Sequence, residues 1–234
     1  MADQKLNQYM IEVTDKVNAS AKNATVQRRL SKSGYSFSGL PVSEQMIVWD
    51  YIWNNSSDFW VCIQSYLFLE AHIKDKQFLV GSWETIKHWQ KSVFNWGMCD
   101  GLSKIYTKIL EIIQDEVFGQ LEQWNKSANP WDRRQSLVSL LYFSRTKKVA
   151  LPYQTLIPLI NELVEDKEYY VQKAVGWALK ELYQVYPTET LKYLESNIKR
   201  VSSIVFTIST EKLKKEEKEK LTGIRKHRVR ALQG

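Results

Sequence analysis

Trp96 and Asp100 lie four residues apart, a spacing that on a helix stands an indole beside a carboxylate on one face. Farther along, Tyr170, Lys173, Trp177 and Lys180 follow an i, i+3, i+7, i+10 course, on another stripe from the apolar set Val171, Val175, Ala178, Leu179 and Leu182. A tryptophan between two lysines forgoes burial unless something covers it, so this stripe suits a flat, anionic ligand. Arg133 and Arg134 follow Trp131 and Asp132 where another helix should begin. Guanidinium groups near the backbone N–H groups of a helix start favour phosphate. A plainer account stands beside each of these: tryptophans at helix starts commonly pack, and an aspartate in a first turn commonly acts as a cap or dipole partner. Basic and aromatic groups nevertheless coincide on comparable helices, which is where an array of helical repeats builds its binding surface.

Helices must position these side chains, and apolar residues do recur at three- and four-residue spacing nearly everywhere. Only Ile204 to Ile208 is ambiguous between helix and strand. Lys5 to about Ala21 carries Leu6, Tyr9, Met10, Val13 and Val17 on one face, Asn23 to Ser33 forms its short companion, and Pro41 opens the next helix after a loop. Aromatic pairs then fall near successive helix starts, at Phe59-Trp60, Phe94-Asn95-Trp96, Pro130-Trp131 and Tyr169-Tyr170. The steps from Trp60 to Trp96, Trp131 and Tyr170 are 36, 35 and 39 residues. That period suits two helices and short turns, the scale of HEAT and armadillo units at about 40. With nine tryptophans in the chain, coincidence remains the competing explanation. Turn signals at Asn54 to Asp58, at Ser127 to Pro130 and at Pro187 favour the repeat. The expected fold is all-α, a superhelical solenoid of HEAT/armadillo-like antiparallel helix pairs with a concave binding face. Residues 1–200 form one repeat domain, and 201–234 form a basic helical tail packed on or extending from the last repeat.

Composition bounds the partners. The formal charge is +7 and the pI near 9.2, which attracts a polyanion. Nine Lys or Arg and four Glu fall in 201–234, so 9 − 4 = +5 of that surplus sits in the tail. Its end, Arg225-Lys226-His227-Arg228-Val229-Arg230, reads either as a solvated helix terminus or as an arm that contacts phosphate. Nine glycines and five prolines are too few for a turn-rich all-β design. No apolar run approaches the ~18 residues of a membrane span, and the polar N-terminus lacks a signal peptide's apolar core. A soluble, cytoplasmic monomer is therefore expected, with no membrane partner. Cys62 and Cys99 with His72, His88 and His227 make no credible zinc cluster, so neither metal nor cofactor is expected and both thiols read as packing residues.

At these residues the chain resembles the HEAT-like-repeat alkylpurine DNA glycosylases of the AlkD type. The helix from Tyr169-Tyr170-Val171-Gln172-Lys173-Ala174-Val175-Gly176-Trp177 to Glu181 is similar to the family's aromatic-pair, lysine-alanine, glycine-tryptophan helix. Trp96-Gly97-Met98-Cys99-Asp100 resembles its Trp-x-x-x-Asp segment, and Trp131-Asp132-Arg133-Arg134 its arginine-bearing repeat start. Weaker similarity at Phe37-Ser38-Gly39-Leu40-Pro41 extends the resemblance over roughly residues 5 to 200. Lys180 stands where the family usually has arginine, keeping the charge without the planar fork. The lysine-rich tail also replaces the family's usual ending.

The resemblance implies that Asp100 is the catalytic carboxylate, that Trp96 and Trp177 wall the lesion, and that Arg134 holds DNA backbone. Arg133, Lys173, Lys180 and Tyr170 complete the expected DNA-binding set. The implied partner is double-stranded DNA containing N3- or N7-alkylated purines. Such a purine is cationic and leaves readily, so one carboxylate can stabilise the developing sugar cation without a second acid. The resemblance further implies that the lesion is handled while it stays in the duplex. Two alternatives stand beside the glycosylase: a non-catalytic helical-repeat protein that binds distorted or branched DNA, and a protein-interaction scaffold, which the fold alone would permit.

Overall fold

The computed structural model describes residues 3–141 and 151–231, with side chains at 3–140 and 151–226. Every element among these residues is helical. The chain divides into two compact units, Met1–Gln114 and Asp115–Gly234.

The first unit contains α1 (Asp3–Asn18), α2 (Ala24–Ser33), α3 (Val42–Asn55), α4 (Phe59–Ala71), α5 (Lys76–Ile86), a 3₁₀ helix over Lys87–Ser92, and α6 (Trp96–Leu110). Local chemistry sets these starts. Side-chain oxygens of Asn23, Asp58, Asp75 and Asn95 each accept a hydrogen bond from a backbone N–H of the next helix, satisfying donors that have no partner inside the helix. Pro41 stands just ahead of α3. In the core, the Trp53 and Trp89 rings stack with centroids 4.8 Å apart. Trp53 Nε1 donates to the Trp89 carbonyl at 2.9 Å, and Trp89 Nε1 donates to Asp50 Oδ1 at 2.6 Å. Trp83 meets Tyr106 edge to face, and the Tyr106 hydroxyl donates to the Ile86 carbonyl. Each of these indoles is thus buried with its N–H or its ring edge satisfied, the condition under which a large aromatic contributes its full burial. Cys62 is also buried here, and its desolvated thiol is pushed up to about 12.

The second unit contains α7 (Gln114–Asn125), α8 (Pro130–Leu141), α9 (Tyr153–Glu162), α10 (Tyr169–Val185), α11 (Pro187–Asn197), α12 (Ser203–Ser209) and α13 (Lys215–Ala231). Helix α10 is central, packed against α8 on one side and α12 on another. Its Val171, Val175, Ala178, Leu179 and Leu182 are fully buried. Gly176 permits the close approach of α12, because a Cβ there would sit 2.9 Å from Ile208 Cβ and 3.2 Å from the Val205 carbonyl oxygen. The ambiguous Ile204 to Ile208 run is helical as part of α12, whose Ser202 cap accepts from Val205 N–H. Helix α13 packs on α11, so residues beyond 200 are bound into this unit.

The repeat signals fall on helix starts: α4 begins at Phe59, α6 at Trp96, α8 at Pro130 and α10 at Tyr169. No described helix is long and apolar enough to cross a membrane.

Candidate functional site

Two stripes of side chains escape burial on the helices that the spacing singled out, one in each unit. In the first unit, the Asn95 side chain accepts from Met98 N–H at 3.0 Å and so fixes the start of α6 at Trp96. Met98, Cys99, Leu102, Ile105, Tyr106 and Ile109 turn inward. Trp96, Asp100, Lys104 and Lys108 follow at four-residue steps and stay partly or wholly open. Trp96 is 54% exposed, unusual for the largest apolar side chain and contrary to the fate of Trp49, Trp53, Trp83, Trp89 and Trp124, all of which are buried. Asp100 lies one turn farther along and is half-buried.

Two glycines set the position of this stripe against α4. A Cβ on Gly97 would meet the Phe59 ring at 2.9 Å, and one on Gly101 would meet the Tyr66 ring at 3.3 Å. The backbone carrying Asp100 is therefore seated directly on two aromatic rings. Farther down the stripe, Lys104 pairs with Glu70 of α4, and Arg28 of α2 pairs with the same carboxylate. Burial, and secondarily the Arg28 charge, lowers the Lys104 ammonium below its ordinary value. One acid thus bridges two cations at this end of the stripe.

In the second unit, Tyr169, Tyr170, Lys173, Trp177 and Lys180 form the open stripe of α10. Tyr169 is 53% exposed and stands nearly perpendicular to Tyr170, their centroids 5.1 Å apart. The Tyr170 ring lies 5.2 Å from that of Trp131 on α8, so aromatic residues from consecutive helix pairs touch. Lys173 Nζ sits 5.4 and 5.9 Å from the two tyrosine centroids, within range of the attraction between a cation and a ring face. Lys180 Nζ pairs with Glu211 at 3.1 Å.

The arginines have a different fate. Arg133 Nε donates to Asp166 at 2.7 Å, and its Nη1 donates to the Ser127 and Ala128 carbonyls at 2.9 Å each. Arg134 is only 7% exposed, and its Nη1 donates to the Tyr170 carbonyl at 3.0 Å. Both guanidinium groups tie α8 to later parts of the chain, Arg133 to the residues before α10 and Arg134 to α10 itself. Sequence reasoning passed over Tyr169 and Trp131 as ring partners and over the Arg28–Glu70–Lys104 cluster. The aromatic pair at the start of α10 could have signalled the former. The latter unites residues 34 and 42 positions apart, which no local pattern reveals.

Chemically, the α6 stripe offers a negative oxygen and an exposed indole face to a cationic group, while α10 offers rings and an ammonium to bases and phosphates. No group of three or more potential ligands among the described residues could hold a metal ion.

Comparison with known proteins bears on the fold and the family. No curated protein matches the sequence. Among solved structures, that of AlkD2 from Streptococcus mutans superposes with a TM-score of 0.62 at 19% identity, covering 89% of this chain and 99% of the other. That of smu.31 from Streptococcus mutans UA159 superposes with a TM-score of 0.54 at 18% identity, covering 94% and 97% respectively. At such identities the two establish a shared helical fold. The family model described as DNA alkylation repair enzyme matches residues 61–213, which take in both stripes. By that match, over more than half of its length, the chain belongs to the DNA alkylation repair enzyme family.

Proposed function

We propose that the protein is a DNA glycosylase that hydrolyses the N-glycosidic bond of positively charged N3- or N7-alkylated purines in duplex DNA. The observation that carries this reading is the pairing on α6, where an exposed Trp96 and the Asp100 carboxylate stand one turn apart on the open side of the helix. The bond between the sugar C1′ and the purine nitrogen breaks with its electron pair going to the base, which leaves neutral. Water adds at C1′ and gives up a proton. Positive charge grows on the sugar during this step, and a fixed carboxylate favours that charge more than it favours the ground state. Trp96 adds attraction for the cationic base and sugar of about 0.5–2 kcal/mol. Tyr170, Lys173 and Lys180 serve the DNA. Arg133 and Arg134 have partners within the protein, and Arg134 holds the Tyr170 carbonyl at the start of the α10 stripe.

The test is release of 7-methylguanine or 3-methyladenine from methylated duplex. The native protein should release base, and Asp100→Asn should slow release by roughly 100- to 1,000-fold, the usual consequence of removing one preorganised electrostatic group. Duplex affinity should stay within a few-fold. Normal binding without any base release by the native protein would leave a non-catalytic binder of DNA in its place.

A further inference from the structure

The second unit contains a cleft for which base release has no use. It lies between α12 and α13, spans about 260 Å³, and is lined by Ser203, Phe206, Thr207, Thr222, Arg225 and Lys226. Arg225 is pinned there three times. Its Nη1 donates to the Val201 carbonyl at 2.9 Å, its Nη2 donates to Ser203 Oγ at 3.3 Å, and its guanidinium carbon lies 4.9 Å from the Phe206 ring centre. An arginine has five N–H donors in a rigid fork, so three remain for something else.

The charge is also uncompensated. Neither Arg225 nor Lys226 pairs with a carboxylate among the described residues. The four acids beyond residue 200 are Glu211, Glu216, Glu217 and Glu219, all before the last cationic stretch. Of these, Glu211 pairs with Lys180, while Glu217 accepts from the Tyr183 hydroxyl and the Lys214 N–H. Burial lowers the Arg225 guanidinium from its ordinary value, with no acid nearby to oppose the effect. A half-buried planar cation, a second cation and the Ser203 hydroxyl, with no carboxylate among the described lining residues, make a setting that rewards a tetrahedral oxyanion.

We propose that this cleft is a phosphate-binding site, in which the Arg225 fork and the Lys226 ammonium hold the anion and the Ser203 hydroxyl, which accepts from Arg225 and keeps its own proton, donates to it, while Thr207 and Thr222, whose hydroxyls donate to the Ser203 and Lys218 carbonyls, form the walls. The phosphate can come from the backbone of a nucleic acid or from a free phosphate, and the chemistry of recognition is the same. The site does not depend on base release, because its charge and the Ser203 hydroxyl are there whether or not Asp100 acts.

The experiment is a pair of titrations of the ¹⁵N-labelled full chain, one with inorganic phosphate and one with an unmodified duplex, following the backbone amides of Ser203, Thr207 and Thr222. Saturable shifts are expected at all three. Shifts with the duplex at micromolar concentration assign the backbone as the source, and shifts with inorganic phosphate alone assign the free anion. Lys226→Gln, which removes an exposed ammonium, should weaken the response about 2- to 5-fold, the effect of one exposed ion pair. Arg225→Lys, which keeps the charge and loses the fork, should weaken it further. Amides unmoved by both titrants, or shifts unchanged in both variants, would overturn the proposal. Base release measured on the same samples separates this outcome from the fate of the glycosylase reading.

Discussion

At the residue scale, Lys180 is the position where the resemblance promised an arginine, and its partner Glu211 explains how a lysine is held there. A single ammonium at 3.1 Å from one carboxylate oxygen is steered without needing a planar fork. The same pairing hinders any contact with phosphate, because the acid must be displaced first. Glu211→Gln is therefore expected to raise affinity for unmodified duplex about 2- to 5-fold at low salt, measured by fluorescence anisotropy. An unchanged value would remove Lys180 from the contact set. Cys62 gives a second expectation at this scale. Its thiol is pushed up to about 12 by burial, while an unfolded thiol titrates near about 8.5. The stability it contributes is whole below that lower value and is lost as pH climbs toward the higher one, since only the unfolded chain can then ionise freely. The stability gap between native protein and Cys62→Ala, read from denaturant curves, should be constant from about pH 6 to 8 and shrink by about pH 10.

At the element scale, the start of α6 and the contact between α10 and α12 carry the most consequence. Asn95→Ala removes the cap of α6 and should cost about 1 kcal/mol, with base release falling more than global stability suggests because Trp96 and Asp100 sit in the first turns. Gly176→Ala places a Cβ 2.9 Å from Ile208 and 3.2 Å from a backbone oxygen, and backbone cannot swing away as a side chain can. A loss of about 1–3 kcal/mol is expected in urea unfolding, and a variant as stable as the native protein would mean α12 does not hold its place on α10. The start and the open stripe of α10 were legible beforehand, since Val171, Val175 and Leu182 declare a 3.6-residue period that leaves Tyr170, Lys173 and Trp177 outside. The fate of the arginines was not. Arg133 finds Asp166 and Arg134 finds the Tyr170 carbonyl 33 and 36 positions away, contacts that exist only once α8 has packed.

At the scale of the whole molecule, the helical repeat could be read from aromatic pairs at 35- to 39-residue steps because each pair marks a helix start. The division at Gln114 could not, since Ile112 and Ile113 give the boundary an apolar look and no proline, glycine or serine run marks it. If duplex DNA is the partner, as proposed, the surplus of +7 predicts an affinity that falls with salt, linearly on logarithmic axes by about 0.9 in slope per neutralised phosphate. Lys173, which meets rings and no carboxylate among the described residues, should account for one such step, so Lys173→Ala is expected to reduce the slope by about 0.9 without changing the fold. A slope near zero for the native protein would exclude duplex DNA as its partner.

The uneven burial of the indoles gives this protein an optical signal of its own. Five of them, sealed among other side chains, should emit at short wavelength and remain indifferent to added ligand, whereas Trp96 at the mouth of α6 should emit as indole does in water. The part of the red-edge quenching by duplex that is lost in Trp96→Phe would then report occupancy beside Asp100 without any label. Such a readout would follow the bound lesion in real time, separately from the chemical step.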